Sequence, residues 1–192
     1  MASPKPDLTD LQSAVADRSA TADPEARGRQ ICLRLLTLAP RTRAQLADAM
    51  RRRGIPDETA DAILGSLTDA GLIDDAAFAK AWVESRHYAR GLSKKSLSAE
   101  LRRRGVDGDD ISEAVENLDP EQEIETARHL VARKIAATRG QPAEVRTRKV
   151  AGMLARKGYP AALAFRLIRE ALEQEGVGDF GAELSEAESE AD

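Results

Sequence analysis

Apolar residues recur every three or four positions along most of this chain, which is the spacing of amphipathic helices. Residues 31–38 begin the pattern, and Pro40 ends it. Thr42 and Gln45 form a capping-box sequence that predicts the start of a second helix. Further helix starts are predicted at Pro56, Asp74, Ser93, Asp107, Pro120, Pro142 and Pro160. Because no segment alternates apolar and polar residues between turns, the pattern predicts an all-α protein of about nine helices.

One sequence phrase occurs three times. Its glycines are Gly54, Gly105 and Gly158, 51 and then 53 residues apart, and each has an apolar residue eight and four positions before it and one after it. A fixed period of this kind indicates a small helical unit copied in tandem. Each glycine suits the left-handed position that ends a helix. The apolar residues that precede the glycines are expected in the unit cores: Leu46, Met50, Leu97, Leu101, Val150 and Leu154.

The period predicts three tandem three-helix repeats in an elongated, curved array. Repeat 1 with a linking helix is assigned to residues 26–90, repeat 2 with a linking helix to 91–138, and repeat 3 to 139–175. The N-terminal tail, 1–25, and the acidic C-terminal tail, 176–192, are expected to be disordered. Such arrays usually bind an extended partner rather than enclose a catalytic pocket.

Composition narrows the compartment and the function class. Aromatic residues make up 3% of the chain, which leaves little material for a large enzyme pocket. The single cysteine, Cys32, lies in an apolar stretch and permits no internal disulfide, which fits a buried, inert thiol in a reducing cytoplasm. No apolar run approaches the length of a membrane span, and the N-terminal residues lack a signal pattern. We expect a cytoplasmic monomer without membrane contact.

Charge alternates along the chain with the repeat. Residues 26–56 carry eight basic side chains and one acid, whereas 57–75 carry six acids and no base. Residues 107–125 carry nine acids and no base, whereas 126–169 carry eleven bases and only Glu144. Helix-end electrostatics explains cations within one turn of a helix C-terminus. It does not explain a 44-residue stretch with one acid, which predicts a surface for phosphates or for an acidic protein.

Groups able to carry out chemistry are sparse. His87 and His129 lack the neighbours that a zinc site needs, and the carboxylates at 74–75 are expected to cap a helix. Phe78 and Trp82, four residues apart, are expected to anchor the core. Neither a nucleophile motif nor a glycine-rich phosphate loop is present. No catalytic, cofactor or metal site is predicted, and the protein is not expected to be an enzyme.

Two runs carry a family resemblance. Residues 71–79 read GLIDDAAFA and are followed by Trp82, Val83 and Arg86, while residues 100–107 read ELRRRGVD. This combination resembles the RecX family of bacterial recombination regulators, over about residues 27–175, with a looser match in the third unit. The resemblance implies three tandem three-helix repeats. It also implies an interaction protein that binds the RecA recombinase filament, lies along its groove, inhibits its ATPase and strand exchange, and promotes disassembly.

The basic helices are expected to engage nucleic acid or an acidic surface of the filament, with nucleic-acid contact weak or indirect. Charge placement selects these residues: Arg51, Arg52, Arg53, Lys94, Lys95, Arg102, Arg103, Arg104, Arg146, Arg148, Lys149, Arg156 and Lys157. Reversing Arg146, Arg148 and Lys149 to glutamate is expected to abolish inhibition of RecA and to leave the helical content intact.

Several alternatives remain open at this point. Capping of filament ends and binding along the groove both fit the array, and binding to free DNA is compatible with either. The acidic C-terminal tail either folds back on the basic stretch and weakens binding or only aids solubility, and we favour the second. A helix-turn-helix regulator that acts on DNA without RecA is the rival function, but the second helices of the first two pairs, 57–70 and 109–118, are acidic.

Overall fold

The structure, a computed structural model, describes residues 23–176. This part of the chain folds into nine α-helices and contains no strand, so the predicted all-α class is confirmed. The helices are α1 (Pro24–Leu38), α2 (Arg43–Arg51), α3 (Asp57–Asp69), α4 (Asp75–Arg90), α5 (Lys94–Arg103), α6 (Gly108–Glu116), α7 (Pro120–Ala136), α8 (Ala143–Arg156) and α9 (Ala161–Gln174). The predictions of disorder for 1–22 and 177–192 fall outside the described residues. Residues 24 and 25, which were also assigned to the N-terminal tail, instead begin α1, because Asp23 caps this helix and Pro24 suits its first position.

The repeated phrase has the same backbone conformation each time. Gly54, Gly105 and Gly158 have positive φ angles of 72°, 74° and 86°. The amide after each glycine donates to a carbonyl five residues earlier, at 3.2, 3.3 and 3.1 Å, which is the helix-ending pattern that glycine permits. The six apolar residues predicted for the cores are all fully buried. The phrase therefore ends α2, α5 and α8 and supplies each core.

The described residues form two compact units, which divide between Asp75 and Ala76. In the first unit, α1, α2 and α3 enclose a core that includes Leu46, Met50, Ile63 and Leu64. Thr42 caps α2 through the predicted box, since its side chain accepts from the Gln45 amide at 3.2 Å. Cys32 is fully buried in this core, and burial raises the pKa of its thiol, which makes it unreactive.

The second unit contains two three-helix cores. In one, Ala79 and Val83 of α4 pack with Leu97 and Leu101 of α5 and with buried residues of α6. In the other, α7, α8 and α9 enclose a core that includes Val131, Val150, Leu154 and Leu167. The sequence boundaries at 90 and 138 treat α4 and α7 as links that follow a repeat. In the structure each of these helices contributes buried residues to the core of the helices that follow it. From here on, repeat 1 is α1–α3, repeat 2 is α4–α6 and repeat 3 is α7–α9.

Polar contacts join the two cores of the second unit. The Tyr159 hydroxyl donates to the Gly91 carbonyl at 3.2 Å, and the Ser93 amide donates to the Lys157 carbonyl at 3.0 Å. The His87 ring is fully buried, with Nδ1 3.0 Å from the Leu92 carbonyl oxygen and Nε2 2.9 Å from the Thr126 hydroxyl. The surfaces of repeats 2 and 3 are therefore held in a defined arrangement.

Candidate partner-binding surface

In the first copy of the phrase, local groups already contact two of the three arginines. Arg51 lies 2.7 Å from the Asp48 carboxylate and 3.8 Å from that of Asp57. Arg53 donates to the Ala49 carbonyl at 3.0 Å, near the end of α2. All three side chains at 51–53 are exposed. The contacts show that helix-end electrostatics accounts for much of this triplet.

In the second copy, one arginine lies on an aromatic ring. The guanidinium of Arg104 is 3.6 Å from the centre of the Trp82 ring, and that of Arg86 is 4.1 Å from it. The indole N–H of Trp82 donates to Glu100 at 2.9 Å, and Phe78 stacks on the same ring with centres 5.7 Å apart. Both aromatic residues are half-buried and pack against the core, as expected. Trp82 also carries two cations on its ring, so it does more than anchor the core.

The other predicted cations of repeat 2 lie at both ends of α5. Arg102 and Arg103 are exposed in its last turn, and Lys95 is exposed in its first turn. Lys94 is half-buried, and its backbone amide donates to the Glu123 carboxylate at 2.8 Å. Lys95, Arg102 and Arg103 are therefore the most accessible cations of this repeat.

Arg146 does not lie at the surface. Its side chain is 5% exposed, and its guanidinium donates to the Ile135 carbonyl at 3.1 Å and to the Glu175 carboxylate. The hydrogen bond from Arg146 lowers the pKa of Glu175, with a smaller contribution from Arg139. The buried cation joins the ends of α7, α8 and α9. Reversing it to glutamate would place two carboxylates together inside the unit, so the expectation that such a variant keeps its helical content needs correction.

The remaining predicted cations of repeat 3 are accessible to different degrees. Arg148 and Arg156 are exposed, and Lys149 is exposed with its amine 2.7 Å from the Gln141 side-chain oxygen. Lys157 is half-buried, and its amine donates to the Arg90 carbonyl. Arg156 and Lys157 therefore occupy the junction between repeats, whereas Arg148 and Lys149 lie near the start of α8.

Four cations surround one concave surface of the second unit. We call this surface the cationic cleft: Arg90, Arg133, Arg156 and Lys157 line a cavity of about 950 Å³ between α4, α7 and α8. No carboxylate of residues 23–176 lines the cavity. His129 of the lining lies 3.4 Å from the Glu125 carboxylate, which is itself outside the lining. The cleft is thus a concentration of positive charge without a built-in counterion.

The crowding of cations is visible in Lys157. Burial lowers the pKa of its amine below the usual range, and the charges of Arg133 and Arg90 lower it further. A bound phosphate or carboxylate would relieve this repulsion and replace the missing counterion. The arrangement is therefore suited to anionic groups on a larger partner rather than to chemistry at a reacting bond.

Two cations of the cleft, Arg90 and Arg133, were not among the residues predicted from the charge pattern of the sequence. Arg90 ends α4 in repeat 2, and Arg133 lies on α7 in repeat 3. Arg133 belongs to the basic stretch at 126–169, which was the available signal, but Arg90 lies outside every basic block. Only the packing of the two repeats brings these side chains to one cavity.

Metal clusters and membrane-spanning helices are both absent from the described residues. No group of three histidine, cysteine or acidic side chains in residues 23–176 is placed to hold a metal ion. None of the nine helices in that range has a segment long and apolar enough to cross a membrane. Both histidines have other partners, since His87 is buried in the repeat junction and His129 is paired with Glu125.

Family models divide the chain as the helices do. The RecX first, second and third three-helix domains match residues 29–67, 74–115 and 121–168. The second and third matches begin beside the starts of α4 and α7, in agreement with their packing into the cores that follow.

Whole-chain relatives carry the same family name. A regulatory protein RecX of Thermobifida fusca is 61% identical over 159 residues, which cover 83% of this chain and 86% of the relative. That of Mycolicibacterium smegmatis is 43% identical over 182 residues, covering 91% and 97%. A crystal structure of RecX from Lactobacillus salivarius has a TM-score of 0.69 at 21% identity, covering 78% of this chain and 97% of that one, and supports the fold. With three repeat domains in order and relatives that span most of its length, the chain belongs to the RecX family of regulatory proteins.

Proposed function

We propose that this protein binds the RecA filament on single-stranded DNA, inhibits its ATPase and recombinase activity, and promotes filament disassembly. Membership of a family of regulatory proteins supports a role in controlling another protein. The cationic cleft is the observation that carries the proposal, because four cations without a lining carboxylate favour an anionic partner. A nucleoprotein filament presents phosphates and acidic side chains in a regular array, which suits a protein built of repeats.

The cleft is the centre of the proposed contact, and exposed cations nearby extend it. Lys95, Arg102, Arg103, Arg148 and Lys149 are accessible in the same unit and stay in the proposed set. Arg146 is removed from the proposed set, because its guanidinium is buried and hydrogen-bonded within the fold. The first-repeat arginines, 51–53, contribute less, since two of them have local partners.

The test is RecA-dependent ATP hydrolysis on single-stranded DNA, titrated with the wild-type chain and with an Arg133→Glu/Arg156→Glu variant. Both side chains are exposed, so the reversal leaves the cores intact. We expect the concentration for half-inhibition to rise about tenfold or more, because each reversal replaces an attraction to the anionic filament with a repulsion. Inhibition by the wild type at less than one chain per RecA subunit supports action on the filament.

The matched control is Arg29→Glu/Arg34→Glu, which changes the net charge by the same amount on α1, where Arg34 is exposed and the Arg29 side chain is 42% exposed. It should inhibit nearly as well as the wild type. Equal loss in both variants would show that overall charge is responsible and would contradict a localised contact. Inhibition only when the protein exceeds the DNA sites would contradict filament binding and favour competition for DNA.

A further inference from the structure

A second concave surface of this unit lies between α5 of repeat 2 and α8 and α9 of repeat 3. It encloses about 1040 Å³, and we call it the α5–α8 groove. Small residues make up much of its wall: Ala99, Ala151, Gly152, Ala155, Ala161 and Ala164. Phe165 contributes a half-buried ring. Small side chains on facing helices leave room for larger apolar side chains of a bound segment, as in grooves that accept peptides.

Charged side chains at the groove favour an acidic occupant. Lys95 of α5 and Arg148 of α8 line it and are exposed. Glu144 is its one lining carboxylate among the described residues, and it lies in the first turn of α8. The groove therefore combines an apolar wall with an excess of positive charge, and a complementary segment would be acidic with a few large apolar residues.

The chain continues beyond α9 from a point beside the start of α8. Glu175 follows α9 and is held by Arg146 of α8 and, at 3.2 Å, by Arg139. These ion pairs place the end of α9 beside the start of α8, where Glu144 and Arg148 line the groove. Gly176 lies about 16 Å along the helix direction from Phe165, at 1.5 Å per residue. The 16 residues at 177–192 can span about 50 Å, which exceeds the distance needed.

The composition of residues 177–192 matches the groove. This segment carries six carboxylates and no basic side chain, and its two largest apolar residues are Phe180 and Leu184. We propose that residues 177–192 bind the α5–α8 groove of their own chain, with Phe180 and Leu184 against the small residues and the carboxylates near Lys95 and Arg148. The bound segment shields cations from an anionic partner and so makes the chain autoinhibitory; only this consequence rests on the proposed function.

Tethering makes a weak contact sufficient. A short linker gives an effective concentration on the order of 1 mM. A segment with an intrinsic Kd of about 0.1 mM would then occupy the groove about ten times more often than not, and would weaken a competing anionic ligand roughly tenfold. Release of the segment by a stronger multivalent partner would restore the exposed cations.

The direct test compares backbone amide NMR spectra of the full chain and of a Phe180→Ala/Leu184→Ala variant. The variant keeps all six carboxylates of the segment, so it removes the apolar contact without changing charge. We expect chemical-shift changes at groove residues such as Ala99, Ala151, Gly152 and Ala155. The control, Leu8→Ala/Leu11→Ala, makes equivalent changes near the other end of the chain and should leave these amides unchanged.

Changes confined to residues 177–192 would overturn the proposal, and changes that vary with protein concentration would show contact between chains instead of within one. A second variant, Ala99→Glu, places a carboxylate in the groove and should reproduce the shifts at α8. Binding of a labelled single-stranded oligonucleotide should strengthen roughly tenfold in the Phe180→Ala/Leu184→Ala variant if the shielding is correct. The spectra report the contact without RecA, so failure of the proposed function would leave this result interpretable.

Discussion

The first and third copies of the repeated phrase have the same backbone but different electrostatic surroundings. Both end a helix with a left-handed glycine and bury the apolar residues around it. In the first copy, Arg51 pairs with Asp48 in the same helix. In the third copy, Arg156 and Lys157 lie with cations from other helices in a cleft that no described carboxylate lines. A repeated sequence thus repeats its local fold, whereas its charge environment depends on what packs against it.

The largest expected effect is a loss of stability on removing Arg146, a buried cation of repeat 3. Removing Arg51, a paired surface cation of repeat 1, should have a much smaller effect. Arg146→Ala should lower the free energy of unfolding of the second unit by about 2–3 kcal/mol, because the Ile135 carbonyl loses its partner and the vacated space is not refilled. Arg51→Ala should change stability by less than about 0.5 kcal/mol, because its ion pair is exposed. Urea unfolding followed by Trp82 fluorescence and circular dichroism measures both.

At acidic pH the difference in free energy of unfolding between the wild type and Arg146→Ala should become smaller. Arg146 lowers the pKa of Glu175 in the folded state, so the stability from this contact is present above the unfolded pKa and is lost as the pH falls through the folded pKa. If the difference in free energy of unfolding between wild type and variant stays constant down to strongly acidic pH, the Glu175 charge has no role in this contact.

The second effect compares the glycines of the two copies. Gly54→Ala should cost about 1 kcal/mol from its positive φ alone, since a Cβ there meets nothing within 4 Å. Gly158→Ala should cost about twice as much, because its Cβ would lie 2.6 Å from the Ser93 hydroxyl oxygen. That oxygen caps α5 by accepting the Ser96 amide, so its displacement weakens the cap. If urea unfolding shows equal losses of stability for the two variants, the residues around Gly158 can move to accommodate the Cβ at no cost in free energy.

The third effect concerns the contribution of one hydroxyl group, that of Tyr159, to the stability of the contact between repeats 2 and 3. Tyr159→Phe removes the hydrogen bond to the Gly91 carbonyl and should cost about 1 kcal/mol. Tyr88→Phe is the control, because its hydroxyl is bound only to Gln122 on an exposed surface. Stability measured by urea unfolding should fall only for Tyr159→Phe.

Alkaline pH provides an independent check on Tyr159. Burial and, to a smaller extent, the charge of Glu123 raise the pKa of Tyr159 from 10.0 to about 12. A raised folded pKa stabilises the protein below the unfolded value, and this contribution is lost as the pH rises from about 10 to 12. Tyr159→Phe should therefore flatten the alkaline part of the stability profile, and an unchanged profile would contradict this assignment.

The smallest effect concerns the crowded cations of the cleft. Arg133→Ala should raise the pKa of Lys157, because one of the two positive charges that lower it is removed. NMR titration of the Lys157 side chain measures the shift, and Arg139→Ala serves as a control that changes charge outside the cleft. A Lys157 pKa that does not respond to Arg133→Ala would mean that the charge of Arg133 does not act on it.

Helices, caps and core positions could be predicted because the forces involved are local. The Thr42 capping box, the Ser93 and Asp107 caps and the helix-ending glycines all follow from a few neighbouring residues. The assignment of α4 as a link was less informative, since its spacing shows that one face is apolar but not which core receives it. Side-chain packing of Ala79 and Val83 with α5 supplies that information.

The candidate site was harder to predict, because the position of a charged residue in the sequence does not determine whether its side chain is exposed to solvent. Arg146 lies in the most basic stretch of the chain, yet a carboxylate 29 residues later holds it inside the fold. Arg104 likewise belongs to a basic triplet but lies on the Trp82 ring. Arg90 belongs to no basic block, and it reaches the cationic cleft only because repeats 2 and 3 pack together.

The sequence by itself determined that this chain is a tandem array of three-helix repeats, because apolar spacing, caps and glycines act over a few residues and recur with the period. Its motifs also indicated the RecX family. The tertiary structure alone decided which cations face solvent, which are consumed by internal partners and which gather in one cleft. Electrostatic energy depends on distance and burial between residues far apart in the chain, and only the folded protein sets those distances.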